Sequence, residues 1–240
     1  MKLFKGFALA FSMLTIIPFF KVHDFFKGIN GYAAMLYPLV GFIIGLALWQ
    51  VSLALSPFMP PVHLSVIIFV LWITLTGALH LDGLSDTIDG LFVPKERALE
   101  VMKDSHIGGM GMIFTLVFLL FKLSSIIYFQ AYYLLPLILM LSRLNASLAI
   151  YFGEYIGGGM GFLAKQELKL WQLSLAFFST LALVFYAWNL LALLLALLTL
   201  VIISKYFTAR LGGLSGDIYG FIIEISELVL LNYLVFVNFS

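Results

Sequence analysis

Residues 191–203 read LALLLALLTLVII, and they lie inside a stretch, 171–204, that contains no charged residue. A transmembrane helix needs ~20 mostly apolar residues to cross ~30 Å of hydrocarbon, so the stretch is too long for one span and long enough for two short ones. In lipid every backbone polar group must be satisfied inside the segment or in a closed barrel. Barrel strands alternate polar and apolar residues. This run does not alternate, and it therefore predicts helices. The wider chain agrees, with 63% hydrophobic residues and only 10% charged ones, where a soluble domain carries ~25% charge.

Working outward, the same reasoning predicts an all-α, polytopic transmembrane bundle with spans at roughly 32–55, 62–80, 108–129, 131–152, 170–186, 189–208 and 219–238. An apolar N-terminal segment, 3–20, is expected to lie at the interface or to re-enter. It has the look of a signal peptide. However, Lys21-Val22-His23-Asp24 follows instead of a small-residue cleavage site, so it is expected to be retained. Residues 1–240 are read as one integral membrane domain. The absence of cysteine excludes disulfides and thiolate metal sites. The net charge of +1 carries no signal for a nucleic-acid partner, and none is expected.

Three connections, 56–61, near Gln130 and at Trp188-Asn189, are short and hold no lysine or arginine. The other four, at 21–31, 80–107, 153–169 and 205–218, hold Lys21, Lys27, Lys95, Arg97, Lys103, Lys165, Lys169, Lys205 and Arg210. Lysine and arginine collect in cytoplasmic loops. The long connections are therefore expected to face the cytoplasm of an inner membrane, with the N-terminus inside and Ser240 outside. Ten of the twelve acidic residues share that face; Glu224 and Glu227 fall within the last span.

Three constellations carry chemistry. In HLDGLSDTIDG at 80–90, Asp82, Asp86 and Asp89 are spaced i, i+4 and i+7 and share one helix face. Like charges so placed repel, and a hard divalent cation with oxygen ligands would offset that, magnesium or manganese rather than zinc. The alternative is a solvated acidic helix end. In MKDSHIGGMG at 102–111, Lys103, Asp104 and His106 precede a glycine-rich helix entry. Such an entry suits an anion, or serves close packing through small residues. In RLGGLSGD at 210–217, Arg210 and the glycines suit a phosphate, beside Ser215 and Asp217 and ahead of Glu224 and Glu227. Carboxylates inside a membrane helix are costly and usually functional; the alternative is snorkelling or pairing with Lys205 or Arg210. Arg143, mid-span, wants an anion: a carboxylate, a substrate phosphate or a purely structural ion pair. Lys122 is similar with weaker polar company. The glycine run at 153–162, GEYIGGGMGF, reads as a flexible loop.

Together these motifs resemble the cobalamin synthase family, the adenosylcobinamide-GDP ribazoletransferases. The likeness rests on HLDGLSDTIDGL at 80–91, ERALEVMKDSHIGGMG at 96–111 and RLGGLSGDIYG at 210–220, with LTIIPF at 14–19 and YPLVGFIIG at 37–45 at the start. His106 stands where the family usually has arginine, Ser215 replaces a threonine and keeps its hydroxyl, and 91–95 is shorter than in many relatives. The resemblance implies transfer of adenosylcobinamide phosphate from adenosylcobinamide-GDP to α-ribazole or its 5′-phosphate, with release of GMP and a requirement for magnesium. On this reading Asp82, Asp86 and Asp89 hold the metal. Asp82, Asp104, His106, Asp217 and Glu224 form the catalytic set, and Lys103, Arg143, Arg210, Ser215 and Glu227 contact substrate. A homo-oligomer, or association with other cobalamin-pathway enzymes, is a further expectation. The DGLSDTIDG string is also similar to the aspartate motif of CDP-alcohol phosphotransferases, but the alanine-arginine step and the later aspartate pair of that motif are missing. From other classes, an ion- or proton-coupled transporter would set ionisable residues near the midplane on several helices, and a scaffold would leave three aspartates on one face without a purpose.

Overall fold

A computed structural model describes residues 1–17, 26–104, 106, 108–187 and 189–239, the last two as backbone only. Lys21, Asp24, Ser105, Ile107, Trp188 and Ser240 lie outside the described residues. Among the described residues eleven α-helices follow in order: α1 (Lys2–Leu14), α2 (Ile29–Leu55), α3 (Pro61–Thr76), α4 (Leu79–Leu91), α5 (Lys95–Val101), α6 (Gly109–Tyr128), α7 (Leu135–Phe152), α8 (Met160–Glu167), α9 (Leu170–Tyr186), α10 (Leu190–Leu211) and α11 (Gly216–Phe239). The chain is a helical membrane bundle.

Among the described residues five segments are long and apolar enough to span by themselves, namely Ile29–Phe58, Gly109–Tyr128, Tyr132–Phe152, Leu190–Leu211 and Gly216–Val237, and counting each of two bent helix pairs as one span gives seven. All seven expected spans have a helical counterpart, and α9 has the bounds expected of its span, 170–186. At 1.5 Å per residue α1 is ~20 Å long, short of the ~30 Å hydrocarbon core. It packs instead along α2.

The centre of the bundle is α7. Every residue from Leu135 to Ile150 is buried, although Ser142, Arg143, Asn145 and Ser147 are polar. Asn145 Nδ2 donates to the Ala196 carbonyl (2.8 Å) and to Ser226 Oγ (2.9 Å), tying α7 to α10 and α11. By contrast α6 and α10 turn exposed leucine, isoleucine, valine and phenylalanine faces outward. In a membrane that apolar girdle meets lipid.

The 80–107 connection is not a loop. Gly77 (φ 62°) closes α3 in the left-handed region and Ala78 (φ 54°) follows it there. A side chain at φ > 0 is uncommon outside glycine. Two such residues in succession break the helix, and α4 leaves at 83° to α3. The HLDGLSDTIDGL helix therefore turns away from the spanning direction. A second corner, 96° between α8 and α9, is fastened to the start of α2: Glu167 accepts hydrogen bonds from the Asn30 backbone N–H (2.9 Å) and Asn30 Nδ2 (2.8 Å). Lys205 and Arg210 lie within α10 rather than in a connection.

Candidate active site

Two glycines set the geometry. A Cβ on Gly83 would lie 2.8 Å from the Asp217 carbonyl oxygen, and one on Gly220 would lie 3.0 Å from the His80 carbonyl oxygen. The first is too short for any side chain and the second leaves room for one only if the backbone gives, so α4 and α11 cross backbone to backbone. That crossing sets Asp217, in the first turn of α11, beside the aspartate face of α4. Asp82 is exposed and Asp86 and Asp217 are half-buried. Among the described residues no lysine or arginine pairs with any of the three. Burial, and then the charges of Asp82, Asp217 and Asp89, push the Asp86 carboxyl up to about 7 from its ordinary 3.8.

Asp89 is differently placed. It is buried, and its Oδ2 and Oδ1 accept hydrogen bonds from the backbone N–H groups of Gly108 (2.9 Å) and Gly111 (2.7 Å). A carboxylate from α4 thus satisfies two of the orphan donors at the start of α6 and complements its dipole. The glycine-rich entry expected to receive an anion receives this one.

Beside the crossing a cavity of about 380 Å³ opens between α1, α4, α11 and residues 155–161. Its exposed end has Lys103, Gly157 and Gly158, with Ser215 and Asp217 next to them; its buried end has Tyr37, His80 and Tyr219. The glycine run at 153–162 is ordered by pairing with the loop before α11: Ile156 N–H donates to the Leu214 carbonyl (2.9 Å) and Leu214 N–H to the Glu154 carbonyl (2.7 Å). Ser215 heads α11, with its hydroxyl donating to Asp217 Oδ2 (3.3 Å). Both ring nitrogens of His80 and the hydroxyl of Tyr219 are buried without a hydrogen-bond partner. An unmade hydrogen bond of this kind costs roughly 1–3 kcal/mol, and the three atoms belong to two residues beside the cavity.

The remaining expected site residues are elsewhere. Lys122 Nζ donates to Glu224 Oε2 (2.7 Å) and Glu227 Oε2 (2.5 Å) and sits 4.5 Å from the Trp72 ring centre. Arg143 Nη1 donates to Glu227 Oε1, and also to Ser142 Oγ at 2.8 Å. All four charged side chains are almost wholly buried. Two cations and two carboxylates neutralise one another across α6, α7 and α11, below the cavity. Arg210 Nη2 donates to the carbonyls of Leu91 (3.1 Å) and Val93 (2.9 Å), clamping the end of α4. Asp104 and His106, both exposed, pair with each other at 2.7 Å. His80, Tyr155 and Tyr219 were not singled out in the sequence. Lys103, Ser215 and Asp217, which were expected in the site, do line that cavity.

Among the described residues no group of three or more histidine, aspartate or glutamate side chains is arranged to hold a metal ion. Magnesium is usually held more openly, by one or two carboxylates with waters and substrate phosphates. Asp82 and Asp86 are oxygen donors with uncompensated charge, and in that sense the residues fit a hard cation.

The family model for cobalamin-5-phosphate synthase matches residues 6–235. The chain belongs to that family. Curated relatives are the adenosylcobinamide-GDP ribazoletransferases of Desulfitobacterium hafniense (36% identity over 81% of this chain and 82% of the relative) and Deinococcus radiodurans (35% over 96% and 85%). That of Acinetobacter baumannii strain ACICU is 36% identical over 94% of both chains. No solved structure matches significantly. In this cobalamin-5-phosphate synthase family member the aspartate motif and the RLGGLSGD motif, 120 residues apart in the chain, meet at the Gly83–Gly220 crossing, with Lys103 across the cavity mouth.

Proposed function

We propose that the chain transfers adenosylcobinamide phosphate from adenosylcobinamide-GDP to α-ribazole or α-ribazole 5′-phosphate, releasing GMP and closing the nucleotide loop of the cobalamin coenzyme. The observation that carries this reading is the crossing of α4 and α11, which brings Asp82 and Asp86 near Asp217, a carboxylate that lines a cavity of about 380 Å³, in a chain of this family.

Displacing GMP from a pyrophosphate gathers negative charge on phosphoryl oxygens, and fixed positive charge stabilises it. Magnesium would supply that charge as a Lewis acid, held by Asp82 and Asp86 with Asp89 behind them. Lys103, at the cavity mouth, is placed to meet a phosphate. Asp217 faces the same cavity and is the group we assign to take the proton of the attacking ribose hydroxyl, as general bases must sit within hydrogen-bond reach of it. Ser215 holds the start of α11 and with it Asp217. The Asp104–His106 pair is exposed and does not line the cavity. Glu224, Glu227 and Arg143 contribute by fixing α11 and α7 rather than by touching substrate. The bundle sits in the inner membrane with this site on the cytoplasmic face, in keeping with the lysines and arginines of the long connections.

The test is GMP release by the purified protein supplied with adenosylcobinamide-GDP, each acceptor in turn, and magnesium. Release that needs both an acceptor and magnesium is expected. Release without acceptor, or none with either acceptor, would overturn the reading.

A further inference from the structure

Away from the aspartates, α7 and α10 leave a slot of about 570 Å³ between them. The two helices are joined where Asn145 meets the Ala196 carbonyl. Beyond that contact both segments line the slot, Leu148 and Leu200 first, then Glu154 and Lys205, each nine residues on from the contact. On α10 the lining residues Val201, Ser204, Lys205 and Thr208 recur every three or four positions, and on α7 Leu148 and Phe152 are four apart, so each helix turns one face to the slot. The slot is graded along its length. Its deep part is apolar, with Phe152 and Val201 exposed along it. One to two turns further on, toward the connections that carry the basic residues, Ser204, Lys205, Thr208 and Glu154 make it polar.

The ligand class follows from the charges. Lys205 and Glu154 are both exposed, and among the described residues neither takes part in an ion pair. A ligand with an anionic head alone would be drawn to Lys205 and repelled by Glu154. A head that carries both a phosphate and an ammonium, on an apolar tail, meets all of the lining. We propose that the slot binds one phosphatidylethanolamine molecule, with its phosphate at Lys205, Ser204 and Thr208, its ammonium at Glu154 and an acyl chain along Leu200, Val201 and Phe152. The grading has the order a lipid needs, polar head at the membrane boundary and chain in the hydrocarbon, and a lysine stem lying on apolar surface lets its ammonium reach that boundary. The site is distinct from the cavity described above. Glu154 faces the slot, while Tyr155 and Ile156, next in the chain, line the cavity. Matched opposite charges give specificity more than raw affinity, so discrimination between headgroups is the property to measure.

The experiment is native mass spectrometry of the full chain in detergent, offered an equimolar mixture of phosphatidylethanolamine, phosphatidylglycerol and phosphatidylcholine with the same acyl chains. The wild type is expected to retain one phosphatidylethanolamine about tenfold over either competitor. Lys205→Gln should lower retention of phosphatidylethanolamine, and Glu154→Gln should narrow its lead over phosphatidylglycerol to less than about threefold. Both side chains are exposed, so the melting temperatures in lipid-free detergent should stay at the wild-type value, which separates lost recognition from lost fold. Lys95→Gln, at another exposed lysine and outside the slot, should keep the wild-type profile. Equal retention of the three lipids by the wild type, a profile unchanged in both slot variants, or an equal loss in Lys95→Gln overturns the proposal. A preference for phosphatidylglycerol that Lys205→Gln alone removes would overturn it as well, leaving an anionic lipid at a single lysine.

Discussion

The main chain of Asp217 lies against the bare Cα of Gly83, so near that a methyl group there would stand 2.8 Å from the Asp217 carbonyl oxygen. The obstacle is backbone, which has no rotamer to give way. Gly83→Ala must therefore push α11 off α4 or tilt it. Overpacking of this kind costs about 1–3 kcal/mol, and a 1 Å misplacement of a reacting group costs about 100-fold in rate. The variant should remain folded with a lowered melting temperature and lose about 100-fold in GMP release. Turnover within threefold of wild type would mean that the crossing does not position Asp217.

Asp82→Asn and Asp86→Asn keep side-chain size and remove one charge each. If these carboxylates hold magnesium, GMP release should fall by at least about 100-fold, as when one electrostatic element is taken from a transition state. Raising magnesium should restore part of it. Glu96→Gln and Glu100→Gln, on the exposed face of α5, serve as controls and should retain activity. Wild-type release by both aspartate variants at limiting magnesium would leave the face a solvated helix end.

The Asp86 carboxyl, raised to about 7 by burial and by its acidic neighbours, gives a pH dependence with a definite sign. Above that value the group is ionised and ready for a cation; below it a proton competes. Apparent magnesium affinity should fall as pH drops through about 7, approaching tenfold per unit. Asp86→Asn should flatten that slope. Titrating activity with magnesium at pH 8 and pH 6, for both proteins, measures it.

How far this arrangement was legible in the sequence depends on the range of the forces involved. The spans were readable because lipid acts on each segment separately: α9, Leu170–Tyr186, coincides with the span expected at 170–186. The aspartate face of α4 was readable because helical periodicity is local. The 83° corner at Gly77–Ala78 was not, since alanine gives no warning of a left-handed conformation that tertiary packing imposes. The glycine run at 153–162 passed for a flexible loop because what orders it is pairing with Leu214, remote in sequence. Arg143 and Lys122 were visible as costly charges, but their partners on α11 depend on which helices meet, and sequence spacing does not report that.

Those partners yield a stability prediction. Lys122 bridges Glu224 and Glu227, with Arg143 on the far side of Glu227. Breaking a buried ion pair from one side typically costs 3–5 kcal/mol, because the other charge is stranded. Lys122→Met should thus lower the melting temperature in detergent sharply, and Lys122→Met combined with Glu224→Gln should recover part of the loss. Arg143→Met should resemble Lys122→Met. If either single variant melts like the wild type, the quartet is not what joins α6, α7 and α11.

The last prediction separates two roles for Arg210. A guanidinium that binds donor phosphate would raise the donor KM when shortened. Here Nη2 already donates to the carbonyls of Leu91 and Val93, both within 3.1 Å, at the end of α4 where carbonyls lack intrahelical partners. A positive group there also favours the helix C-terminus. Arg210→Met leaves those carbonyls unpaired in a partly buried place, at roughly 1–3 kcal/mol, and lets the end of α4 fray. The expected result is a lower melting temperature and a lower kcat, with donor KM changed less than about threefold. Lysine, with a single point of charge in place of the planar fork, should recover only part of the stability. A donor KM raised tenfold or more at unchanged melting temperature would return Arg210 to the substrate side of the site.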